Sequence, residues 1–267
     1  MKQVVATVIS NRKVLPGVPR VHARSMLSSR LIWLKCPEIA QEAKTGQFVM
    51  VRCGEECVLP RPFSIHQVEG GDVALFFAVW EGGKGTNWLS RRRKGSRVEI
   101  FGPLGNGFSI RPDSKNVLLV AGGIGIAPLY FLSQEAVSKG CSVTLLYGTA
   151  SKERYSELPA RVKLVSVTED GSVGKKGRVI DLIPDFVDGA DQLFACGPMP
   201  MYRDMARRRE ELRLVGKPVQ VSLEVVMACG RGVCYGCTVK TKSGLKQVCE
   251  DGPVFNLDDI LWDELNY

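Results

Sequence analysis

The 267-residue chain lacks the features of membrane, secreted and histidine-dependent proteins. No apolar run approaches the ~20 residues that a membrane-spanning helix needs. The N-terminus shows no apolar stretch followed by a small-residue cleavage site, as a secretory signal would. Only two histidines, His22 and His66, are present, and neither belongs to a recognisable catalytic triad. These absences predict a cytoplasmic protein with no membrane partner and no acid–base catalytic dyad.

A disulfide framework is also disfavoured. The chain has nine cysteines, an odd number, and structural disulfides are rare in the cytoplasm. Four of them lie close together near the end of the sequence: Cys229, Cys234, Cys237 and Cys249. Clustered thiols can form disulfide bonds, bind metal ions or act as redox centres, so their role largely decides what the chain does.

The net charge of +8 and the pI of 9.1 raise the question of nucleic-acid binding. Positive charge is concentrated in residues 91–94 and 203–213, and the second run alternates with acids as on an ion-paired helix face. No aromatic-rich groove or zinc-finger spacing accompanies either run. We therefore expect no nucleic-acid partner, and we interpret the runs as solvated surface or as a docking patch for a protein.

The hydrophobic pattern divides the chain into three regions. Residues 1–108 hold short apolar runs broken by glycine and proline, which predicts an antiparallel β-barrel or sandwich, with closure favoured because it leaves few edges. Residues 109–215 alternate apolar strands with helical patterns, which predicts βαβ units in a doubly wound parallel sheet. Residues 216–267 add one strand and the cysteines, and this segment is too small for a core of its own.

Two strand ends in the second region are suited to a nucleotide. Gly122, Gly123 and Gly125 form a turn that lets the backbone approach a phosphate, and Pro128 suits the first turn of the following helix. The spacing differs from the GxGxxG dinucleotide fingerprint, so a purely structural turn stays an alternative. A second strand ends at Cys196, Gly197 and Pro198, where ligands bind in open α/β sheets, and we interpret Cys196 as a pocket wall.

The first region carries two further motifs. Arg61, followed by Ser64, stands at the end of a strand, and its planar guanidinium could pair with a phosphate. A glycine-rich turn follows a later strand, and Thr86 is predicted to be the N-cap of a short helix whose N–H groups could hold an anion. An ordinary helix cap is the alternative for this second motif.

The four clustered cysteines follow the spacing C-x4-C-x2-C-x11-C. Structural zinc usually takes two C-x2-C pairs, whereas this three-plus-one grouping is typical of a plant-type [2Fe–2S] cluster. Gly230, Gly232 and Gly236 would let the loop fold around a cluster and bring N–H groups to the sulfurs. An iron–sulfur cluster is favoured, with zinc and unligated thiols as the alternatives.

Taken together, these motifs resemble the ferredoxin reductase family of flavoproteins, and most closely the electron-transfer subunits of B-type dihydroorotate dehydrogenases. The resemblance implies a flavin-binding antiparallel barrel, a sheet domain for NAD and a small C-terminal [2Fe–2S] segment. The FAD residues that it implies are Arg61, Pro62, Phe63, Ser64, Ala78, Val79, Trp80, Gly85 and Thr86. The NAD residues are Gly122, Gly123, Gly125, Pro128, Cys196, Gly197 and Pro198, and the cluster ligands are Cys229, Cys234, Cys237 and Cys249.

The resemblance also implies a reaction. Dihydroorotate would be oxidised in a separate FMN-containing catalytic subunit, and electrons would pass through the cluster and FAD to NAD⁺, in a heterotetramer with two copies of each chain. The alternatives are the small subunit of another flavin–iron–sulfur oxidoreductase, of ferredoxin:NADP reductase or sulfhydrogenase type, and a non-catalytic zinc or redox-sensing module. Lys152 or Arg154 could reach the 2′-phosphate of NADP, so the choice of nucleotide stays open.

Overall fold

The computed structural model describes residues 1–21, 24–152 and 157–265, and the side chains of residues 18–21 and 24 are not part of the description. The N-terminal part is a single antiparallel sheet with two short helices, α1 (Pro37–Ala40) and α2 (Lys84–Ser90). Its strands are β1 (Lys2–Leu15), β2 (Val18–Val21), β3 (Arg24–Lys35), β4 (Phe48–Val51), β5 (Arg61–Ser64), β6 (Gln67–Glu69), β7 (Asp72–Trp80) and β8 (Arg97–Leu104).

This sheet closes on itself as a barrel. Its strand order is β5-β4-β8-β1-β3-β7-β6, and β5 and β6 are consecutive stretches of one segment. At their junction the N–H of Ile65 bonds to Gln47 O (3.0 Å) on one side, and the N–H of His66 bonds to Ala74 O (2.9 Å) on the other. The two ends of the strand order therefore meet at residues 65 and 66, which leaves few open edges.

Strand β7 shows why a strand of this barrel reads as a continuous apolar run. Val73, Leu75 and Phe77 belong to the barrel core, whereas Ala74 and Phe76 belong to a second cluster formed with the other half of the molecule. Successive side chains of a strand point to opposite faces, so β7 is covered on both. The barrel and the second sheet consequently share this strand as a wall.

The second half of the molecule is an open sheet with helices on both faces. Its elements are β9 (Asn116–Gly122), α3 (Ile126–Ser138), β10 (Ser142–Thr149), β11 (Val162–Thr168), β12 (Lys175–Lys176), the 3-10 helix Val179–Asp185, β13 (Gln192–Cys196), α4 (Met199–Arg207), β14 (Val219–Ser222) and β17 (Val254–Asn256). The strand order is β12-β11-β10-β9-β13-β14-β17, and all strands are parallel except β17.

Alternate residues of β9 pack with α3 on one face of the sheet and with α4 and the 3-10 helix on the other. The predicted fold class, a barrel joined to a doubly wound sheet, is confirmed.

The cysteines lie on an excursion between two neighbouring strands of this sheet. The chain leaves at the end of β14, forms a separate hairpin of β15 (Thr238–Thr241) and β16 (Gly244–Gln247), and returns as β17 beside β14. The apolar side chains of the excursion, including Val239 and Val248, belong to the same buried cluster as Leu193 of the sheet. The excursion thus relies on the core of the sheet, as its small size predicts. The division into 1–108, 109–215 and 216–267 stays a prediction.

Among the described residues, no helix is long and apolar enough to cross a membrane.

Candidate functional site

A cleft with a volume of about 240 Å³ separates the barrel from the open sheet. The barrel contributes residues of β5, β7 and α2, and the opposite wall comes from the start of α3 and the segment after β14. Six of the predicted flavin residues therefore lie together in one cavity. The barrel residues among those that line the cleft include Pro62, Phe63, Ser64, Ala78, Trp80 and Thr86, and the opposite wall includes Ile124, Ala127, Ser222, Glu224, Val225 and Met227.

Val79, which was predicted with this group, packs in the barrel core instead. It lies between Ala78 and Trp80 on β7, and neighbouring strand residues point in opposite directions. The two residues that flank it face the cleft.

Thr86 does not cap its helix as predicted. Helix α2 begins at Lys84, with Gly83 at the N-cap, so Thr86 is the third helical residue. Its hydroxyl oxygen is buried and has no hydrogen-bond partner among the described residues. A buried, unpaired hydroxyl is costly unless a ligand satisfies it.

Arg61 packs against Gly85, the residue that precedes Thr86. A Cβ on Gly85 would stand 2.9 Å from Arg61 Cγ and 3.4 Å from Arg61 Nε, so glycine gives the arginine the room it needs. The guanidinium also donates to Leu59 O at 2.8 Å. A guanidinium and an unpaired hydroxyl can both donate hydrogen bonds to an anion.

The glycine turn after β9 meets the end of β13, where the strand order changes direction. A Cβ on Gly125 would stand 2.0 Å from Cys196 O, so the two strand ends touch through bare backbone. Gly123 has φ +54°, a conformation that glycine adopts without strain. Pro128 lies buried in the first turn of α3. In open α/β sheets, ligands bind at such a switch point.

Tyr202 on α4 fixes the end of β13, and sequence analysis missed this residue. The N–H of Gly197 donates to its hydroxyl oxygen at 2.8 Å, and the hydroxyl donates to Ser222 O at 2.6 Å. The Cys196 thiol also points at Ser222 O, at 3.7 Å. Burial raises the pKa of Cys196 well above its usual value, which argues against a role as a nucleophile. Pro198 is the N-cap residue of α4.

Glu224 is a second residue that sequence analysis missed. It follows β14, its side chain is exposed to the cleft, and the Cys196 thiol lies 3.9 Å from its Oε1. Although the residue is exposed to the cleft, the surrounding protein restricts the hydration of its carboxylate, and this desolvation raises its pKa from 4.5 to about 7. In the sequence, Glu224 is an acidic residue within the largely apolar run 219–226, and this run predicts a single strand.

We expect Glu224→Gln to flatten the pH dependence of stability between about pH 4.5 and 7. The folded protein binds this proton more tightly than the unfolded chain does, so Glu224 destabilises the fold as pH rises through that window. Thermal unfolding of the cofactor-free protein across the window measures the effect. The control is Glu169→Gln, which removes an exposed carboxylate elsewhere. A wild-type slope in Glu224→Gln would contradict the assignment.

Each of the four clustered cysteines accepts a backbone N–H at its sulfur. Such bonds stabilise thiolates and tune iron–sulfur clusters. Three of the four donor groups belong to the loop 230–236 that the cysteines enclose. The bonds are Arg231 N to Cys229 Sγ (3.4 Å), Gly232 N to Cys249 Sγ (3.2 Å), Gly236 N to Cys234 Sγ (3.5 Å) and Cys249 N to Cys237 Sγ (3.4 Å).

The thiols are arranged as two pairs. The Cys234 thiol lowers the pKa of Cys229, and the Cys237 thiol raises the pKa of Cys249 with a smaller contribution from Cys229. In the described part of the chain, no three His, Cys, Asp or Glu side chains are grouped as ligands of a single metal ion. A [2Fe–2S] cluster has two irons with two protein ligands each, so paired thiols fit it. The chemistry of the donor set agrees, since soft thiolates favour iron–sulfur clusters.

Cys229 and Cys249 differ in their pKa values. Partial burial opposes ionisation of Cys229, but backbone hydrogen bonds, that of Arg231 first, lower its pKa to about 7. Burial raises the pKa of Cys249 to about 12. Metal binding would deprotonate both. All nine cysteines are free thiols.

The cysteine loop is seated on the barrel, next to the cleft. A Cβ on Gly230 would stand 2.6 Å from Met50 Cγ, and the Arg231 guanidinium lies 4.4 Å from the centre of the Phe101 ring. Met227, two residues before Cys229, lines the cleft itself. The thiols and the cleft are therefore separated by a short, packed stretch of protein.

Comparison with known proteins gives the class first. A chain from the structure of an NADH-dependent reduced ferredoxin-NADP oxidoreductase superposes with a TM-score of 0.84 at 29% identity, covering 98% of this chain and 91% of that one. A ferredoxin NADP⁺ reductase from Neisseria gonorrhoeae, solved with FAD and NADP, shares the fold with a TM-score of 0.62 at 16% identity, covering 79% and 92%. The barrel, sheet and cleft thus define a ferredoxin reductase-like oxidoreductase.

The family follows from closer relatives. A sequence model of the iron–sulfur cluster binding domain of dihydroorotate dehydrogenase B matches residues 224–261. The electron transfer subunit of dihydroorotate dehydrogenase B (NAD(+)) from Desulforamulus reducens is 40% identical over 243 residues, covering 85% of this chain and 90% of that protein. Its counterpart from Geobacillus sp. (strain WCH70) is 33% identical, covering 98% and 99%. The chain belongs to this family of electron transfer subunits, as the sequence motifs had indicated.

Proposed function

We propose that the chain is the electron-transfer subunit of an NAD-linked dihydroorotate dehydrogenase. It receives electrons from dihydroorotate oxidation in a partner subunit and passes them through a [2Fe–2S] cluster and FAD to NAD⁺, in pyrimidine (UMP) biosynthesis. The observation that carries the proposal is the cysteine loop: two pairs of thiols, each sulfur bonded to a backbone N–H, placed directly beyond the cleft.

The cofactors supply the electron chemistry, since nicotinamide exchanges a hydride, flavin one or two electrons, and the cluster one at a time. The protein's task is to place them in order. The order in this chain is the nucleotide turn at Gly122–Gly125, the cleft, and the loop that starts at Cys229. The predicted division into a 1–108 flavin part, a 109–215 nucleotide part and a 216–267 cluster part follows the same order, and we propose it as the functional division.

The barrel wall would hold FAD. Arg61 would pair with its phosphates, and Thr86 would satisfy its unpaired hydroxyl on the same group. Ser64 would bond to a polar edge of the flavin ring, while Ala78 and Trp80 would cover its face. The buried, unpartnered hydroxyl of Thr86, next in the chain to the glycine that Arg61 packs against, supports this placement.

The sheet would hold NAD(H). The N–H groups at the start of α3 would face the pyrophosphate across Gly123 and Gly125. Gly197, held by Tyr202, would bring the second strand end against the same ligand. If the nucleotide were NADP, the exposed Lys152 would contact its 2′-phosphate. Arg154, the other candidate for this contact, lies outside the described residues. The relatives are named as subunits of an NAD(+) enzyme, which supports the choice of NAD. Comparing the rates at which NADH and NADPH reduce the bound flavin tests this choice.

The partner is a catalytic subunit that oxidises dihydroorotate, and we propose that it contains FMN and assembles with this chain as a heterotetramer of two copies each. Four large apolar side chains are exposed in the excursion that carries the cysteines, and two of them are the sequence neighbours of the exposed Cys234. Exposed apolar groups concentrated in one small segment are typical of a protein interface. They are Val226, Val233, Tyr235 and Leu245.

The decisive experiment is anaerobic purification with and without the partner. Flavin and [2Fe–2S] absorption should both be present, NADH should bleach the flavin, and the co-purified partner should oxidise dihydroorotate. A colourless or zinc-loaded protein would overturn the proposal.

The second candidate is the small subunit of an NADH-dependent ferredoxin–NADP oxidoreductase, which the TM-score of 0.84 over 98% of the chain favours. A partner that reduces ferredoxin instead of oxidising dihydroorotate would support that candidate.

A further inference from the structure

His66 is a buried residue to which the proposed function gives no role. It lies at the junction of β5 and β6, two residues after Ser64, and its side chain is fully shielded from solvent. A buried polar side chain at such a position has to be satisfied by specific partners.

Two partners of the His66 side chain belong to the other half of the molecule. His66 Nδ1 lies 2.8 Å from Ala127 O, in the first turn of α3. Its ring also lies over Tyr130, one turn further along α3, with 4.4 Å between ring centres. Because a carbonyl only accepts, Nδ1 carries the proton in this bond. Burial lowers the pKa of His66 to about 4, so the ring is neutral at ordinary pH.

The bond joins the two walls of the cleft. Ser64 lines the cleft from the barrel, and Ala127 lines it from the sheet. His66 is two residues from the first and hydrogen-bonded to the second. Helix α3 starts directly after the glycine turn, so its first turn and the nucleotide-binding backbone form one rigid unit.

A second bond ties the same helix to the barrel at its other end. Thr45 Oγ1 donates to Glu135 Oε2 at 2.6 Å, and neither residue lines the cleft. Helix α3 is therefore hydrogen-bonded to the barrel both beside the cleft and away from it. The two attachments can be broken separately.

We propose that His66 is a positioning residue that sets the separation of the flavin wall and the nucleotide turn through its bond to Ala127. The proposal rests on the proposed function, because that separation matters where a hydride passes between the two ligands. Displacements of about 1 Å at a reacting centre can cost about a hundredfold in rate.

Three variants of the full chain, reconstituted with its cofactors, test the proposal. His66→Phe keeps a ring over Tyr130 and removes the donor. His66→Asn places an amide N–H near the position of Nδ1. Thr45→Val removes the remote bond and serves as the matched control. We expect His66→Phe to lower the limiting rate of flavin reduction by NADH about tenfold or more, with a smaller change in the half-saturating NADH concentration. His66→Asn should recover most of the rate, and Thr45→Val should keep it.

A second readout needs no cofactor. Hydrogen exchange of the amides at 122–130 should be faster in His66→Phe than in the wild type, and unchanged in Thr45→Val. Equal effects of His66→Phe and Thr45→Val would overturn the proposal, because His66 would then be a general tie between the two halves. A wild-type rate and exchange pattern in His66→Phe would overturn it as well. Absence of flavin reduction in the wild type would instead contradict the proposed function, and the exchange experiment would still decide the role of His66.

Discussion

Replacing Cys249 by serine is expected to abolish assembly of the [2Fe–2S] cluster while leaving FAD bound and reducible by NADH. Cys249 lies 3.2 Å from the N–H of Gly232 and is paired with Cys237, so its loss leaves one iron with a single protein thiolate. A serine hydroxyl is a harder ligand that suits iron–sulfur clusters poorly. The cleft residues that we assign to FAD are untouched by the change. Iron and sulfide content, together with the visible spectrum of the anaerobic protein, measure the outcome.

Cys141→Ser is the matched control for this variant. Cys141 is also a buried free thiol, but it follows the end of α3 and bonds to Ser114 O at 3.4 Å, in a different part of the core from the cysteine loop. It should assemble the cluster as the wild type does. If Cys249→Ser passed electrons normally to an acceptor partner, the assignment of the fourth ligand would be wrong.

Replacing Gly125 by alanine is expected to stop reduction of the flavin by NADH and to destabilise the fold by about 3 kcal/mol. The added Cβ would lie 2.0 Å from Cys196 O and 2.4 Å from Cys196 C, which no contact between real atoms allows. Both neighbours are backbone atoms of a central strand, so no side chain can rotate away. The turn after β9 and the end of β13 must separate, and these are the two elements that we assign to the nucleotide.

Gly189→Ala is the control for the glycine substitution. A Cβ at Gly189 meets nothing within 4 Å, so it should leave both stability and reduction by NADH unchanged. Thermal unfolding and stopped-flow reduction by NADH check both variants. A Gly125→Ala protein that NADH still reduced at the normal rate would remove this turn from the nucleotide site.

The sequence is sufficient for the fold because the patterns that carry it are local. The apolar run of β7 and the glycine turn before α3 each predict a strand or a turn from neighbouring residues alone. The motif residues were assigned to a common site through the resemblance, which supplies long-range information that a single sequence lacks. Six of the predicted flavin residues line one cleft.

What the sequence did not predict depends on contacts between distant parts of the chain. Glu224 reads as a polar interruption of a strand until the cleft wall opposite the barrel is known. Tyr202 reads as one more apolar helix residue until its hydroxyl is found between Gly197 and Ser222. His66 has no motif, because its partners lie on a helix that starts 60 residues later (126 − 66). The misplaced cap at Thr86 has a local cause, since Gly83 takes the N-cap position and the helix starts three residues early.

The position of β14 between β13 and β17 bears on how such a subunit can arise or be shortened. Truncation of the chain near residue 216 would remove β14 and β17. Strand β13, whose five residues are all buried, would then become an exposed edge of the sheet. Buried strands exposed in this way invite aggregation. The cysteine excursion itself begins and ends at residues that face each other, because Ser222 pairs with Val254. Gain or loss of the iron–sulfur segment in evolution would therefore leave the nucleotide sheet intact only where both of these strands are kept.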